Sequence, residues 1–386
     1  MACIFFFSIP AHGHVNPTLA LVRELTARRH RVIYYETEEF REKIEAAGAE
    51  FVSIEPYMPP VPENIDRIAG RDFASLIEMV TDTTISLDER IAQDVAQQEP
   101  DLIIGDSVCF WGKLLAKKHA VPFICSTTTF AFNERSSARM KPQLPEILRM
   151  VFGMPRIEKS MQRLRDHGYA AESFVDVIQN DAKTDTIVYT SRLFQPENET
   201  FGANYAFVGP SVMAKYPRKS HAKPLVYISL GTVLHNAPRF YRSCIRALCG
   251  MDCDAIISVG GKVDPSSLGD IPANVQIFPR VNQLEVLASA DVFLTHCGMN
   301  SVSESLLCGV PMVLFPQHSE QEAVCSRAEE LGAGLRLKHA NVRSIRRALE
   351  AVLADSRYKA AAEAVAEDFS CCGGAKEAAD FIEERV

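Results

Sequence analysis

The chain has 386 residues, of which 47% are hydrophobic and 23% charged, with a formal net charge of −8. That length is past the point where one core keeps growing, so about two domains are expected, and an acidic chain lacks the basic footprint that nucleic-acid binding needs. Eleven cysteines, odd in number and scattered, with Cys249-x-x-x-Cys253 and Cys371-Cys372 as the closest groupings, match neither a zinc nor a disulfide pattern.

Met1-Ala2-Cys3 runs straight into an apolar strand at 4–9 without the basic n-region of a signal peptide. No apolar run reaches the roughly 18 residues that span a bilayer, so a reduced, cytoplasmic protein without an integral membrane segment is expected. The first strand stops at Pro10-Ala11-His12-Gly13-His14-Val15-Asn16-Pro17. Asn16 suits an N-cap and Pro17 a first helical position, which predicts a helix from there to Arg29 with His12 and His14 in the loop before it. A strand at 31–35, a helix at 40–47 stopped by Gly48 and a strand at 50–54 complete β-α-β-α-β, the opening of a doubly wound parallel sheet.

Four prolines make 56–62 a loop, and 72–98 reads as helix, in one piece or two. A strand at 101–105 ends at Asp106, ahead of a helix holding Phe110 and Trp111. Another at 123–126 leads into Thr127-Thr128-Thr129-Phe130-Ala131-Phe132, a polar and aromatic loop on the same edge. The basic, Met-containing stretch 140–165 reads either as mobile helical segments over the mouth of the first domain or as a surface helical insertion. Strands at 186–190 and 205–208 close the first sheet, and the basic, proline-flanked stretch 209–224 is the best linker.

A second series then begins. A strand at 225–229 ends at Leu230-Gly231-Thr232, a helix covers 241–248, and strands follow at 255–259 and 275–278. Asp252-Cys253-Asp254 has the form of a metal-binding Asp-x-Asp, but between a helix and a strand an acidic turn is the ordinary explanation, and no metal is expected. Gly260-Gly261-Lys262 lacks P-loop spacing.

The densest chemistry follows. A strand at 292–295 stops at His296-Cys297-Gly298-Met299-Asn300-Ser301, and Ser301 and Ser303, with Glu304 behind, open a helix that Gly309 stops. Strand, small-residue turn and helix start make an anion site, where unpartnered N–H groups and the helix dipole favour phosphate and His296 can donate to it. A carboxylate one turn in would repel phosphate, so Glu304 needs another task, and accepting from both hydroxyls of a ribose is the natural one. After a strand at 311–315 come Glu320 and Gln321, an acid and an amide at the C-terminal end of a strand, where open α/β sheets bind ligands.

Thr295-His296-Cys297-Gly298, Asn300-Ser301, Glu304, Gly309-Val310-Pro311 and Glu320-Gln321 stand in register with the nucleotide-sugar signature of the family 1, UDP-glycosyltransferase-like enzymes. The chain resembles in particular the bacterial macrolide and natural-product branch. The resemblance implies a GT-B fold of the α/β class, two Rossmann-like doubly wound parallel-sheet domains facing a cleft. Residues 1–210 would bind the acceptor, 211–223 would link, 224–365 would bind the nucleotide-sugar, and 366–386 would pack back on the first domain as a helix. It implies too that His296, Gly298, Asn300 and Ser301 hold a diphosphate, Glu304 the ribose diol, and Glu320 and Gln321 the hydroxyls of the transferred sugar. Thr232 would contact phosphate or base. Arg280, Val281 and Gln283 fall on the family's aromatic-x-Pro-Gln element, with Arg280 in the place of the ring that stacks on the base, where a guanidinium plane can also stack. Glu320 stands where the family often has Asp.

Transfer to a hydroxyl needs a base, a group that orients it and charge stabilisation for the leaving diphosphate. His12 and His14 both suit the first task by their chemistry, unless they only bond backbone groups near the helix start. The resemblance favours His14, with Asp106 as its partner, and His12 would then line the acceptor pocket; Trp111, Phe130 and Phe132 are candidates for acceptor contact, although such rings more often belong to a core. The expected activity is an inverting, metal-independent transfer of a hexose, glucose by the family's habit, from a UDP-sugar to a lipophilic acceptor such as a macrolide, flavonoid or steroid. The UDP-sugar would be a co-substrate, with no further cofactor. The alternatives are a UDP-sugar epimerase or hydrolase on the same fold and a non-catalytic nucleotide-sugar-binding protein. Dinucleotide redox chemistry is disfavoured, since no Gly-x-Gly-x-x-Gly follows the first strand.

Overall fold

The computed structural model describes residues 1–59, 72–133, 144–211, 216–231, 237–261, 263–317 and 319–386. Among them a seven-stranded sheet is formed by β1 (Cys3–Phe7), β2 (Arg31–Glu36), β3 (Glu50–Ser53), β4 (Leu102–Asp106), β5 (Phe123–Thr127), β6 (Thr186–Val188) and β7 (Tyr205–Phe207), in the order β3-β2-β1-β4-β5-β6-β7. A six-stranded sheet is formed by β8 (Leu225–Ser229), β9 (Asp254–Ser258), β10 (Val275–Phe278), β11 (Val292–Thr295), β12 (Met312–Leu314) and β13 (Gly334–Arg336), in the order β10-β9-β8-β11-β12-β13. Neighbouring strands are parallel in both sheets. Strands covered by helices on both faces need unbroken apolar runs, and Ile4, Phe5, Phe6 and Phe7 are all fully buried.

The helices are α1 (His12–Val15), α2 (Leu19–Ala27), α3 (Arg41–Ala46), α4 (Phe73–Gln98), α5 (Phe110–Lys118), α6 (Leu144–Asp166), α7 (Phe174–Ile178), α8 (Pro238–Leu248), α9 (Gln283–Leu287), α10 (Met299–Leu307), α11 (Ser319–Glu330), α12 (Val342–Ala354), α13 (Ser356–Ser370) and α14 (Gly374–Glu383). No described helix is long and apolar enough to cross a membrane. The chain divides into two compact units, the first made of Met1–Thr190, Glu197–Ser211 and Cys372–Val386 and the second of Ser191–Pro196 and Val212–Cys371.

In each unit the strand order reverses once, between β1 and β4 in the first and between β8 and β11 in the second. The loops that leave these strands diverge there and open a crevice at their C-terminal ends, where ligands bind in open α/β sheets. The segment carrying His14 and the residue Asp106 leave the first switch point. Gly231 and His296 leave the second.

Several elements differ from the reading of the sequence. His12 and His14 lie in a helical turn rather than a loop, because His14 N and Val15 N both bond Ala11 O, at 2.9 and 3.0 Å. Asn16 does not cap; its Oδ1 accepts from Lys43 Nζ at 3.1 Å while the chain passes through a 3-10 turn, Asn16–Thr18, into α2. The region before β4 takes the one-piece form of its reading, a 26-residue helix capped by Asp72 and ended by Glu99 in a left-handed conformation. The stretch read either as mobile helical segments or as a surface helical insertion is the continuous α6, with Pro155 inside it, and Ile157, Met161 and Leu164 bury one stripe against α4; residues 140–143 lie outside those described. β13, α12 and α13 had no counterpart in the sequence reading.

The C-terminal helix α14 belongs to the first unit. Ala378, Ala379 and Ile382 are fully buried in its core with Leu21, Val22 and Leu25 of α2. Arg28 Nη1 donates to Asp380 Oδ1 at 2.5 Å and Glu383 Oε2 at 2.8 Å, and His30 Nε2 lies 2.9 Å from Glu383 Oε1.

Candidate active site

The first unit holds a histidine and a buried acid in contact. β1 ends at Phe7, and the turn α1 that follows Pro10 presents His14 to the end of β4, where its Nδ1 lies 2.9 Å from Asp106 Oδ2. The Asp106 side chain is fully buried, and its other oxygen accepts from Val108 N at 2.9 Å. Thr128 Oγ1, in the loop after β5, is 3.0 Å from the same Nδ1. Facing an ionised carboxylate, which only accepts, Nδ1 would carry the proton and Nε2 the lone pair. Thr128 was not singled out from the sequence, because a threonine within a threonine run gives no signal.

A second buried acid ends β2. Glu36 is fully buried, and burial pushes its pKa up to about 8, with Asp106 adding to the shift and Thr37 and His14 opposing it. Nothing in the sequence pointed to it, since a glutamate at a strand end ordinarily turns to water.

The other residues assigned to the first unit scatter. His12 turns to Glu39, with Nε2 3.1 Å from Oε1, and meets the Phe40 ring edge-on at 5.1 Å. Trp111 and Phe130 are buried in the interior, while Phe132 is 47% exposed. Of the three rings, only Phe132 presents a large apolar face to solvent.

In the second unit His296 follows β11 and is 7% exposed. Its ring is held between two glycines. A Cβ on Gly231 would come within 2.4 Å of the ring and one on Gly298 within 2.6 Å, so neither position has room for a side chain. Gly231 also has φ +72, which glycine adopts without strain. Cys297, between His296 and Gly298, takes a left-handed φ of +67 and bonds from its N–H to Thr295 Oγ1 at 3.2 Å. Burial, with Cys325 beside it, pushes its thiol far up, which makes it a poor nucleophile. Gly298 is the N-cap of α10, which starts at Met299, two residues earlier than the serines suggested. Asn300 is half-buried and Ser301 buried in the first turn of this helix.

Glu304, one turn further on, is held from the side. Gln283 Nε2 donates to Glu304 Oε2 at 2.8 Å and lies 3.3 Å from Ser301 Oγ, and Tyr227 OH donates to Gln283 Oε1 at 3.3 Å. Burial raises the pKa of Glu304 and the Gln283 amide lowers it. Gln283 opens α9, and Arg280 and Val281 lie in the turn before it, the former exposed and the latter half-buried. In the first turn of α11 Glu320 is exposed, while Gln321 is 8% exposed and accepts from Gln317 N at 2.9 Å. Thr232 lies outside the described residues, as do His235 and His318. Asp252 pairs with Lys223 at 2.9 Å.

Known proteins match this arrangement. The family model for UDP-glucoronosyl and UDP-glucosyl transferase matches residues 204–367. NDP-glycosyltransferase YjiC of Bacillus subtilis (strain 168) is 36% identical over 388 residues, covering 98% of this chain and 96% of that protein. Demethyllactenocin mycarosyltransferase of Streptomyces fradiae is 31% identical over 409 residues, covering 99% and 86%. The crystal structure of the glycotransferase of kitacinnamycin matches with a TM-score of 0.86 at 27% identity, covering 100% of this chain and 99% of that one. The two parallel-sheet units are those of the GT-B fold, and the chain belongs to the UDP-glucoronosyl and UDP-glucosyl transferase family of glycosyltransferases.

Proposed function

We propose that this glycosyltransferase moves a hexose, with glucose as the first candidate, from a UDP-sugar to a hydroxyl of a lipophilic natural-product acceptor, inverting the anomeric carbon and using no metal. The observation that carries the reading is the 2.9 Å contact between His14 Nδ1 and the buried Asp106. His14 Nε2 takes the proton of the acceptor hydroxyl, and Asp106 stabilises the imidazolium that forms. The acceptor oxygen attacks the anomeric carbon as its bond to the diphosphate breaks, and a single displacement inverts the centre. The charge that develops on the diphosphate is met by the N–H groups and dipole of the α10 N-terminus and by His296, the task a metal performs elsewhere.

Glu304 supports a ribonucleotide donor, because two sugar hydroxyls are there to donate to it. The acceptor class is supported by the relatives, one of them named as a mycarosyltransferase of demethyllactenocin. The test is UDP release from UDP-glucose with and without phenolic, steroid and macrolide acceptors. The reading expects release that depends on an acceptor, with a matching mass gain on it. Release without any acceptor indicates a hydrolase or epimerase, and tight binding of UDP-sugars with no turnover across nucleotides and acceptors indicates a binding protein.

A further inference from the structure

Glu36 closes an otherwise apolar strand, and the register of the sheet fixes its place. Tyr35 pairs with Phe7 and Phe7 with Gly105, so the next residues, Glu36, Ser8 and Asp106, stand in a row at the C-terminal edge. Tyr34, Phe6 and Ile104 pair in the same way two residues earlier, which puts all three on one face of the pleat. The outer two backbones are about 10 Å apart, two strand spacings, with Ser8 as the middle residue of the row. The chain from Ser8 leads directly to the turn that carries His14.

Glu36 Oε1 accepts from Thr37 N at 2.9 Å and from Thr37 Oγ1 at 3.3 Å. Oε2 is buried and has no hydrogen-bond partner among the described residues. A carboxylate so placed has half its acceptor capacity unmet, which favours the protonated acid. Among the described residues, the ionisable groups that interact electrostatically with it include Asp106 on β4, His14 on α1, Tyr34 on β2 and Cys109 just after β4. The acids of the following turns face elsewhere: Glu38 meets Arg41 at 2.7 Å, Glu39 meets His12 at 3.1 Å, and Glu55 accepts from Glu38 N at 3.0 Å. Of these four groups, only His14 can carry positive charge.

We propose that Glu36 is a positioning residue of the base site, a second carboxyl whose charge sets the proton affinity of His14 from across Ser8. While it is neutral, the imidazole faces one negative charge, that of Asp106. Once ionised, it adds a second, and the imidazolium formed on proton uptake is stabilised by both. The two groups then titrate as a pair rather than separately. The kinetic consequence rests on His14 being the base; the effect on proton affinity does not.

The experiment is an NMR titration of the His14 ring, assigned by its loss in His14→Ala, in the full chain and in Glu36→Gln. The wild-type curve is expected to spread toward alkaline pH, and the variant to show one inflection lower by roughly half a unit or more. Superimposable curves would overturn the proposal. In parallel, the ratio of kcat/KM between wild type and Glu36→Gln should change by about threefold or more across pH 6 to 9. A ratio that stays flat, with activity lowered equally at every pH, means that Glu36 only supports the fold and also overturns it. Full turnover in His14→Ala would remove the base reading, while the ring titration would still decide the role of Glu36.

Discussion

The side-chain amide of Gln283 donates to Glu304 Oε2 at 2.8 Å, so the acid proposed to receive the ribose is oriented before any nucleotide arrives. Tyr227 fixes the amide in turn by donating to its oxygen. Gln283→Ala leaves a partly buried acid without this donor, and burial then favours its protonated form. Loss of one such bond costs about 1 to 1.5 kcal/mol, so the affinity for UDP should fall about tenfold in calorimetry while turnover at saturating donor changes little. Equal binding of UDP by the variant and the wild type would show that the contact does not prepare the site.

Gly231 and Gly298 both face the His296 ring, but for different reasons of conformation. Alanine at Gly298, where φ is −63, only pushes the ring, whereas alanine at Gly231 adds a left-handed φ to the clash. Gly298→Ala should therefore weaken UDP binding at a smaller cost in stability than Gly231→Ala. Gly231→Ala should lose binding and about 1 to 3 kcal/mol of stability as well. Denaturation and UDP titration of the two variants would separate the terms, and unaltered UDP binding in both would show that the position of the ring is unimportant.

Most of this architecture was legible because a strand buried on both faces must be an apolar run, and a run such as Ile4 to Phe7, with Pro10 close behind it, has few other readings. β13 was not, because Gly334–Arg336 is three residues long, contains an arginine and has no such run. Within the site, Gly298 and His296 drew notice through their spacing. That Gly231 confines the same ring did not, since two segments far apart in the chain meet only once β8 and β11 pair. Thr128 and Glu36 escaped for a related reason: each matters through what the fold sets beside it, and neither residue type stands out in its stretch.

Asp106→Asn tests the dyad with little change of shape. The amide can present its nitrogen to His14 and favour the wrong tautomer, so kcat should fall by about a hundredfold or more with KM for the donor nearly unchanged. Thr128→Val, which removes a hydroxyl 3.0 Å from the same nitrogen, should cost far less, roughly threefold to tenfold. A larger loss in the threonine variant than in the aspartate variant would reverse the assignment of the orienting group.

Helix α14 is held to the first unit chiefly by its apolar face. Ile382 is fully buried, and Ile382→Ala should cost about 2 to 5 kcal/mol in denaturant unfolding. Arg28→Ala removes partly exposed ion pairs to Asp380 and Glu383 and should cost about 1 kcal/mol or less, with the difference shrinking in high salt. If the arginine variant proved the less stable of the two, the ion pairs rather than the apolar contact would be the main attachment.

Glu36 makes a signed prediction for stability against pH. Its pKa is about 8 in the folded chain against an ordinary 4.5, a shift caused first by burial. Below pH 4.5 both states keep the proton and the burial costs nothing. As pH rises from there toward about 8 the unfolded chain releases its proton first, so the folded state is progressively disfavoured, by something on the order of 4 kcal/mol at the alkaline end. Glutamine carries no such proton. Glu36→Gln should therefore gain stability relative to the wild type as pH rises through this window, with the gap levelling off above about pH 8. Urea unfolding at a series of pH values reads this directly, and a gap that stays constant would mean that Glu36 is ionised in the folded protein throughout.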